Sequence, residues 1–176
     1  MREITTQRLT LHAIRDGDKE ALLSMLTSER VYRTYMVPDL VTQEARDKMF
    51  SSFKALSERD DRYVFGIYEG DTFLGVIHDT AIEGNTIELG YALHPAYFGQ
   101  GIMTEALRGM IDYLFTQGFA EILAAAFEEN EASLRVMQAS GMCVTGKTER
   151  IAYRGKTHTC VYYSVKRSCE DGEEKT

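Results

Sequence analysis

The stretch that decides the fold is IELGYALHPAYFGQGIMTEALRGMIDYLF, residues 87–115. Its first seven residues alternate in a way that is typical of a β-strand. From Met103 to Phe115, the apolar residues recur at helical spacing. Because Gly99 and Gly101 stand between the two patterns, the segment predicts a strand, a glycine turn and an amphipathic helix.

The glycine turn precedes a helix, where the first backbone N–H groups have no partner within the helix. These groups and the positive end of the helix dipole attract anions, and glycines let a phosphate approach closely. The turn therefore suits a pyrophosphate, although it is also consistent with an ordinary strand-to-helix connection. A P-loop is disfavoured because no GK[ST] ending is present, and a dinucleotide fingerprint because position 104 is threonine.

The same patterns predict the other elements. A first strand is predicted in RLTLHA, with helices after Asp16 or Asp18 and after Thr42. Residues 62–82 predict two strands joined by a turn at Glu69-Gly70-Asp71. A strand in EILAAAFE, a helix that Asn130 caps and that ends at Gly141, and a hairpin turning at Arg154-Gly155 complete the chain.

This order of elements predicts an α+β fold with a mixed, mostly antiparallel twisted sheet flanked by helices. With 176 residues, of which 44% are hydrophobic, the chain suits a single domain, and we assign residues 1–167 to it. Residues 168–176 carry four acids and one lysine, which predicts a disordered acidic tail.

Composition excludes several classes of function. Three cysteines without a CxxC pair and four scattered histidines give no metal spacing, so no metal site is expected. The net charge of −7 and the absence of a basic cluster argue against nucleic-acid binding. No signal sequence and no apolar run of about 20 residues occurs, which predicts a cytoplasmic protein that does not bind a membrane.

Four stretches resemble the GNAT acetyltransferases, in the order and spacing of that family. FGQGIMTEAL is similar to the coenzyme A-binding core, whose pattern is Gln/Arg-x-x-Gly-x-Gly/Ala. The stretches TQRLTLHAIRDGDKEALLSML, IELGYALHP and NEASLRVMQASGM resemble the branch that includes the ribosomal-protein N-terminal acetyltransferases, the RimJ/RimL type. The chain departs from the family at Ala96, Met103 and Met142, where Gln or Arg, a small residue and Phe are usual.

The resemblance implies acetyl-CoA as cofactor and an amine as acceptor, with direct attack in a ternary complex. It places the pantetheine arm beside Tyr91, Ala92 and Leu93, with a main-chain N–H near Leu93 as the oxyanion donor. It also implies that Asn130, Ser133 and Arg135 face the cofactor, although Arg135 also suits a solvated surface charge. The pyrophosphate is expected on the turn formed by Phe98, Gly99, Gln100, Gly101, Ile102, Met103 and Thr104.

Glu88 is the candidate general base and amine ligand, because it shares a strand face with Gly90 and Ala92, two small residues that leave space for an acceptor. The alternative is that Glu88 lies on the solvated face of a strand without a role. Met137 stands where many GNAT enzymes carry a tyrosine acid, so Ser133, water or the acceptor amine is left to protonate the leaving thiolate. By family match, Tyr32, Arg33 and Tyr35 border the acceptor groove.

Three functions stay open at this point. The first is an N-acetyltransferase acting on a protein N-terminal α-amine or on a small-molecule amine. The second is a non-catalytic acyl-CoA-binding module, and the third is an interaction domain without a cofactor. The sequence is compatible with a monomer or a homodimer.

Overall fold

The computed structural model describes residues 2–167, so the tail predicted at residues 168–176 lies outside the described part. The strands are β1 (Ile4–Thr5), β2 (Thr10–His12), β3 (Val64–Glu69), β4 (Thr72–Glu83), β5 (Thr86–Leu93), β6 (Glu121–Phe127), β7 (Cys143–Tyr153) and β8 (Lys156–Lys166). The helices are α1 (Lys19–Leu26), α2 (Glu29–Tyr32), α3 (Gln43–Ser57), α4 (Ile102–Thr116) and α5 (Glu131–Ala139).

The described strands form one sheet in the order β1-β2-β3-β4-β5-β6-β8-β7. The β5–β6 pair is parallel, and the other neighbours pair antiparallel. The predicted α+β fold with a mixed, mostly antiparallel sheet is therefore confirmed. The last strand of the chain, β8, lies inside the sheet, while β7 forms its edge.

Two hydrophobic cores cover opposite faces of the sheet. Ile87 and Leu89 of β5 pack with α4 and α5 in one core, whereas Ala92 packs with α1, α2 and α3 in the other. Neighbouring strand residues point to opposite faces. Accordingly, Ile77 belongs to the first core and Val76 to the second.

Helix α4 forms as the apolar spacing predicts. Its N-cap, Gly101, has a φ of 73°, a left-handed conformation that favours glycine. At the other end, Gly118 has a φ of 96°, and the Phe119 N–H donates to the Leu114 carbonyl at 3.3 Å. The side chains that α4 buries are Ile102, Met103, Ala106, Leu107, Met110, Ile111 and Leu114.

The two halves of β5 are paired differently. Residues Thr86–Leu89 pair with β4 on one side and with Glu121–Ala124 of β6 on the other. Residues 90–93 pair with β4 alone among the residues that the structure describes. Strand β6 continues along β8 as far as Phe127, so the sheet splits between β5 and β6 after Leu89.

The structure adds elements that the sequence patterns do not predict. Strand β1 has two residues and helix α2 has four, too few to show a period. Asp18 does not cap α1 with its side chain as expected. Its carboxylate instead accepts from the Arg15 N–H at 2.7 Å and from the Tyr68 hydroxyl at 2.6 Å. By contrast, Thr42 caps α3 through the Ala45 N–H at 3.1 Å.

Candidate active site

The gap between β5 and β6 has free backbone groups along one wall. The His94 N–H donates to the Leu74 carbonyl at 2.8 Å, and Val76 lies opposite Ala92. Backbone groups of successive strand residues face alternate sides. The N–H and C=O groups of Ala92 therefore point towards β4. Those of Tyr91 and Leu93 point into the gap.

The glycine turn places backbone donors at the start of α4. Gly99 and Gly101 both have positive φ angles, 74° and 73°, and no atom lies within 4 Å of a Cβ built at Gly99. Arg8 holds the turn in place: its Nη1 donates to the Gln100 carbonyl at 3.2 Å and its Nε to Glu105 Oε2 at 2.7 Å. The Gly99 amide can thus meet an anion without obstruction by side chains, and the cationic Arg8 Nη2 lies 3.7 Å from the Cβ position of Gly101.

The remaining side chains of this turn divide into buried and exposed groups. Ile102 and Met103 are buried in the core, so only their backbone groups are available to a ligand. Phe98 is 38% exposed, and the Arg30 guanidinium lies 4.9 Å from its ring centre. Thr104 is half-buried in the first turn of α4.

Helix α5 closes the gap from the α4 side of the sheet. Asn130 caps it by accepting from the Ser133 N–H at 3.3 Å, as predicted. The Tyr91 hydroxyl reaches across to Ser133 Oγ at 2.8 Å. Burial raises the pKa of Tyr91 to about 12, although the bond to Ser133 works in the opposite direction. Arg135 points to solvent and pairs with Glu131 at 3.3 Å.

These features fit the coenzyme A that the resemblance implies. Free amides at the start of α4 suit a pyrophosphate, and the unpaired edge of β5 suits an extended chain that carries amide groups. The donors are main-chain groups, so the departures at Ala96 and Met103 leave them in place.

The opposite face of the sheet carries two carboxylates near the gap. Glu88 of β5 is half-buried, and Glu149 of β7 accepts from the Tyr162 hydroxyl at 2.7 Å. Burial raises the pKa of Cys160 to about 11, and the charges of Glu88 and Glu149 add to this effect. We call the surface between Glu88, Glu149 and the predicted groove residues Tyr32 and Tyr35 the groove. Sequence reasoning missed Glu149, because only the pairing of distant strands brings β7 to this surface.

The space predicted beside Glu88 is occupied. Gly90 lies opposite His78 of β4, and a Cβ built at Gly90 would stand 2.9 Å from His78 Cε1. Ala92 is buried against the second core. The expectation of empty space over Gly90 and Ala92 is therefore wrong, since the imidazole ring fills the position over Gly90. A glycine inside a strand was the signal for this close approach.

The predicted acceptor-groove residues lie at and after α2. Tyr35 is half-buried and its hydroxyl lies 2.7 Å from His78 Nε2, whereas Arg33 is exposed. The Tyr32 carbonyl accepts from the Tyr153 hydroxyl at 2.6 Å. The Arg154 guanidinium lies 4.3 Å from the centre of the Tyr32 ring. The tip of the β7–β8 hairpin thereby closes one end of the groove.

Two classes of feature are absent from the described part of the chain. Residues 2–167 contain no group of three or more His, Cys, Asp or Glu side chains arranged to hold a metal ion. Nor does any helix in this range combine the length and the apolar character needed to cross a membrane.

Comparison with known proteins gives concordant matches. A family model described as an acetyltransferase (GNAT) domain matches residues 8–143. The uncharacterized N-acetyltransferase YoaA of Bacillus subtilis is 30% identical over 170 residues, which cover 93% of this chain and 96% of the relative. The ribosomal-protein-serine acetyltransferase of Escherichia coli is 25% identical over 147 residues, covering 80% and 82%.

Solved structures share the fold. RimL, a ribosomal L7/L12 alpha-N-protein acetyltransferase in complex with coenzyme A, superposes with a TM-score of 0.81 at 22% identity and covers 94% of this chain and 98% of that chain. A GNAT-family acetyltransferase from Bacillus anthracis gives a TM-score of 0.80 at 22% identity, with the same coverage.

Proposed function

The chain belongs to the GNAT acetyltransferase family, and on that premise we propose that it acetylates the N-terminal α-amine of a protein. It is an N-acetyltransferase that uses acetyl-CoA. The observation that carries the proposed site is the free half of β5 beside the α4 N-terminus. A protein with a free N-terminal α-amine is made on ribosomes, which agrees with the cytoplasmic location expected for this enzyme.

When bound, acetyl-CoA supplies the thioester carbonyl that the amine attacks. The amides from Gly99 to Thr104 would hold its pyrophosphate, and the backbone of Tyr91 and Leu93 would pair with its pantetheine arm. A main-chain N–H near Leu93 would donate to the carbonyl oxygen as negative charge develops there. Ser133 Oγ lies 2.8 Å from the Tyr91 hydroxyl, and its own hydroxyl would donate to the leaving sulfur.

Direct attack by the amine is favoured over an acyl-enzyme. A cysteine nucleophile reacts as the thiolate, and burial raises the pKa of Cys160 to about 11. Cys160 therefore keeps its proton near pH 7. The acetyl group passes to the amine in a single complex of enzyme, acetyl-CoA and acceptor.

The acidic groove supports a cationic acceptor, and Glu88 is our proposed ligand for its ammonium group. An α-amine has a pKa near 8, so about a tenth of it is uncharged at pH 7, against less than about a thousandth of a lysine amine. The free α-amine therefore needs less assistance from a base. Because Glu88 and Glu149 both face the groove, a polyamine is the second candidate acceptor.

The cofactor site is tested by calorimetry with coenzyme A on the wild type and on Gly101→Glu. Gly70→Glu is the matched control, because Gly70 also has a positive φ, 59°, and lies in an exposed turn with no atom near its Cβ position. We expect at least 100-fold weaker binding in Gly101→Glu and unchanged binding in the control. Equal affinity for coenzyme A in all three proteins would show that the glycine turn does not bind the pyrophosphate.

The acceptor is tested by following thiol release from acetyl-CoA. The probes are a seven-residue peptide with a free N-terminal serine, the same sequence with a blocked N-terminus and one lysine, and spermidine. We expect turnover with the first peptide alone. Turnover with spermidine but neither peptide would identify a small-molecule enzyme, and binding without any turnover would identify an acyl-CoA-binding module.

A further inference from the structure

The imidazole of His78 lies across β5 at the point where the gap begins. His78 and Gly90 are direct cross-strand partners, and the Cβ position of Gly90 is 2.9 Å from His78 Cε1 and 3.1 Å from His78 Nε2. Gly90 is the first residue of β5 that lacks a β6 partner within the described chain. Only a glycine at this position lets a ring from β4 lie over the strand.

The hydrogen bonds of His78 determine which nitrogen carries the proton. Its Nδ1 lies 3.1 Å from the Asp79 carbonyl oxygen, which can only accept, so Nδ1 is the donor. Nε2 is then unprotonated and accepts from the Tyr35 hydroxyl at 2.7 Å. The edge of the Phe53 ring packs on His78 with the ring centres 5.9 Å apart, which restricts the imidazole to this orientation.

The pair stands beside the proposed amine ligand. Glu88 and Gly90 are two residues apart on one strand and share a face, so they lie about 7 Å from each other. An ammonium group held by Glu88 is thereby placed next to the Tyr35–His78 pair. Both lie on the groove face, opposite the core that contains α4 and α5.

We propose that Tyr35 and His78 together accept the proton of the attacking amine, with the Tyr35 hydroxyl touching the amine and His78 acting through it. This inference rests on the proposed function. The amine nitrogen forms a bond to the acetyl carbon and passes a proton to the Tyr35 oxygen, while the Tyr35 proton moves to His78 Nε2. The carbon–sulfur bond then breaks, and the thiolate leaves with the bonding electron pair. The thiolate then takes up one proton from water and His78 returns one proton to water, so that amine and thioester become amide and thiol.

Burial gives the pair a defined pH response. It lowers the pKa of His78, and the Arg62 charge adds to this while Asp79 opposes it. The Asp79 carboxylate is itself paired with Arg62 Nε at 2.7 Å and accepts from the Tyr63 N–H. The Tyr35 hydroxyl also faces His78, and α3 presents the apolar ring of Phe53. His78 is thus neutral at pH 7 and able to accept a proton.

The test compares His78→Gln with the wild type, using acetyl-CoA and the peptide with a free N-terminal serine. Glutamine can still accept from Tyr35 but cannot take up a proton. We expect kcat to fall about 100-fold, coenzyme A affinity to stay within twofold, and the acidic limb of the kcat–pH profile to disappear. Tyr35→Phe is expected to show the same loss. The kcat of Gly90→Ala is expected to lie between those of these variants and the wild type, because the alanine Cβ displaces the His78 ring.

His12→Gln is the control, since His12 is also largely buried but lies on β2, three strands from β5. A His78→Gln enzyme with wild-type kcat and an unchanged pH profile overturns the inference while leaving the proposed function standing. A wild type that binds coenzyme A but acetylates no probe overturns the proposed function itself. Nitrogen-15 shifts of His78 give a readout besides activity: the Nδ1–H tautomer supports the pair, and the Nε2–H tautomer overturns it.

Discussion

The first and second halves of β5 have the same backbone but different neighbours. Residues 86–89 are held on both sides, and their backbone groups complete the sheet. Residues 90–93 are held by β4 alone, so alternate backbone groups there are free to bind another molecule. A single strand therefore anchors the core at one end and offers a binding edge at the other.

The difference arises at β6. Strand β6 keeps its pairing with β8 through Ala125, Ala126 and Phe127 while it leaves β5. Pairing with the C-terminal hairpin thus separates β6 from β5. The core on the α4 side of the sheet and the core on the α1–α3 side stay separate. The gap is a product of sheet topology rather than of any one side chain.

A proline in each half gives the largest contrast. Leu89→Pro removes an N–H from the fully paired half together with a buried core side chain, and we expect a melting temperature at least about 10 °C lower, equivalent to roughly 4–5 kcal/mol or more. Leu93→Pro removes an N–H that faces the gap, and we expect kcat to fall about 100- to 1,000-fold with a smaller loss of stability. Thermal melts and peptide acetylation rates measure the two effects.

If Leu93→Pro acetylates the peptide at the wild-type rate, the oxyanion donor lies elsewhere and the free half of β5 serves binding alone. If Leu89→Pro has the same melting temperature as the wild type, the paired half of β5 contributes less to the stability of the sheet than its hydrogen bonds indicate.

Glu88→Gln is expected to have an intermediate effect. Glu88 lies in the paired half but faces the groove, and we expect KM for the peptide to rise about tenfold with kcat nearly retained, because one charged contact to the ammonium is lost. The exposed Glu83→Gln on β4 is the control. A 100-fold loss of kcat at constant KM would instead make Glu88 the base and compete with the Tyr35–His78 pair.

Tyr91→Phe is expected to have the smallest effect. It removes the hydroxyl that ties the free half to Ser133, and we expect a several-fold rise in KM for acetyl-CoA. The pKa of Tyr91 is about 12 in the folded protein, above its ordinary value of 10. The contribution of protonated Tyr91 to the free energy of unfolding is therefore complete below pH 10 and is lost as pH rises through 12. The wild type should therefore lose more unfolding free energy than Tyr91→Phe between pH 10 and 12, as followed by denaturant titration. Equal losses in the two proteins would contradict this.

Much of this arrangement could be predicted from local patterns. The alternation in β5, the helical spacing in α4 and the caps at Asn130 and Thr42 depend on neighbours within a few residues, and the structure has all of them. The Arg154-Gly155 turn is also local, with φ angles of 48° and 74° that suit a two-residue hairpin.

The rest depends on pairings between distant segments. Alternation shows that Gly90 and Glu88 share a face, but it does not show that His78 lies opposite Gly90 or that Glu149 reaches the same groove. Register between strands follows from the whole sheet. The proposed roles of the site residues remain predictions for the experiments above.

The inner position of β8 also orders the events of synthesis. Ribosomes release the chain from its N-terminus at roughly 5–20 residues per second. Strand β6 leaves the ribosome before β8, the partner that lies along it inside the sheet. The bond from Tyr153 to Tyr32 joins residues 121 positions apart. A nascent chain that stalls before β8 therefore carries all of β5 and α4 but lacks the strand that pairs along β6.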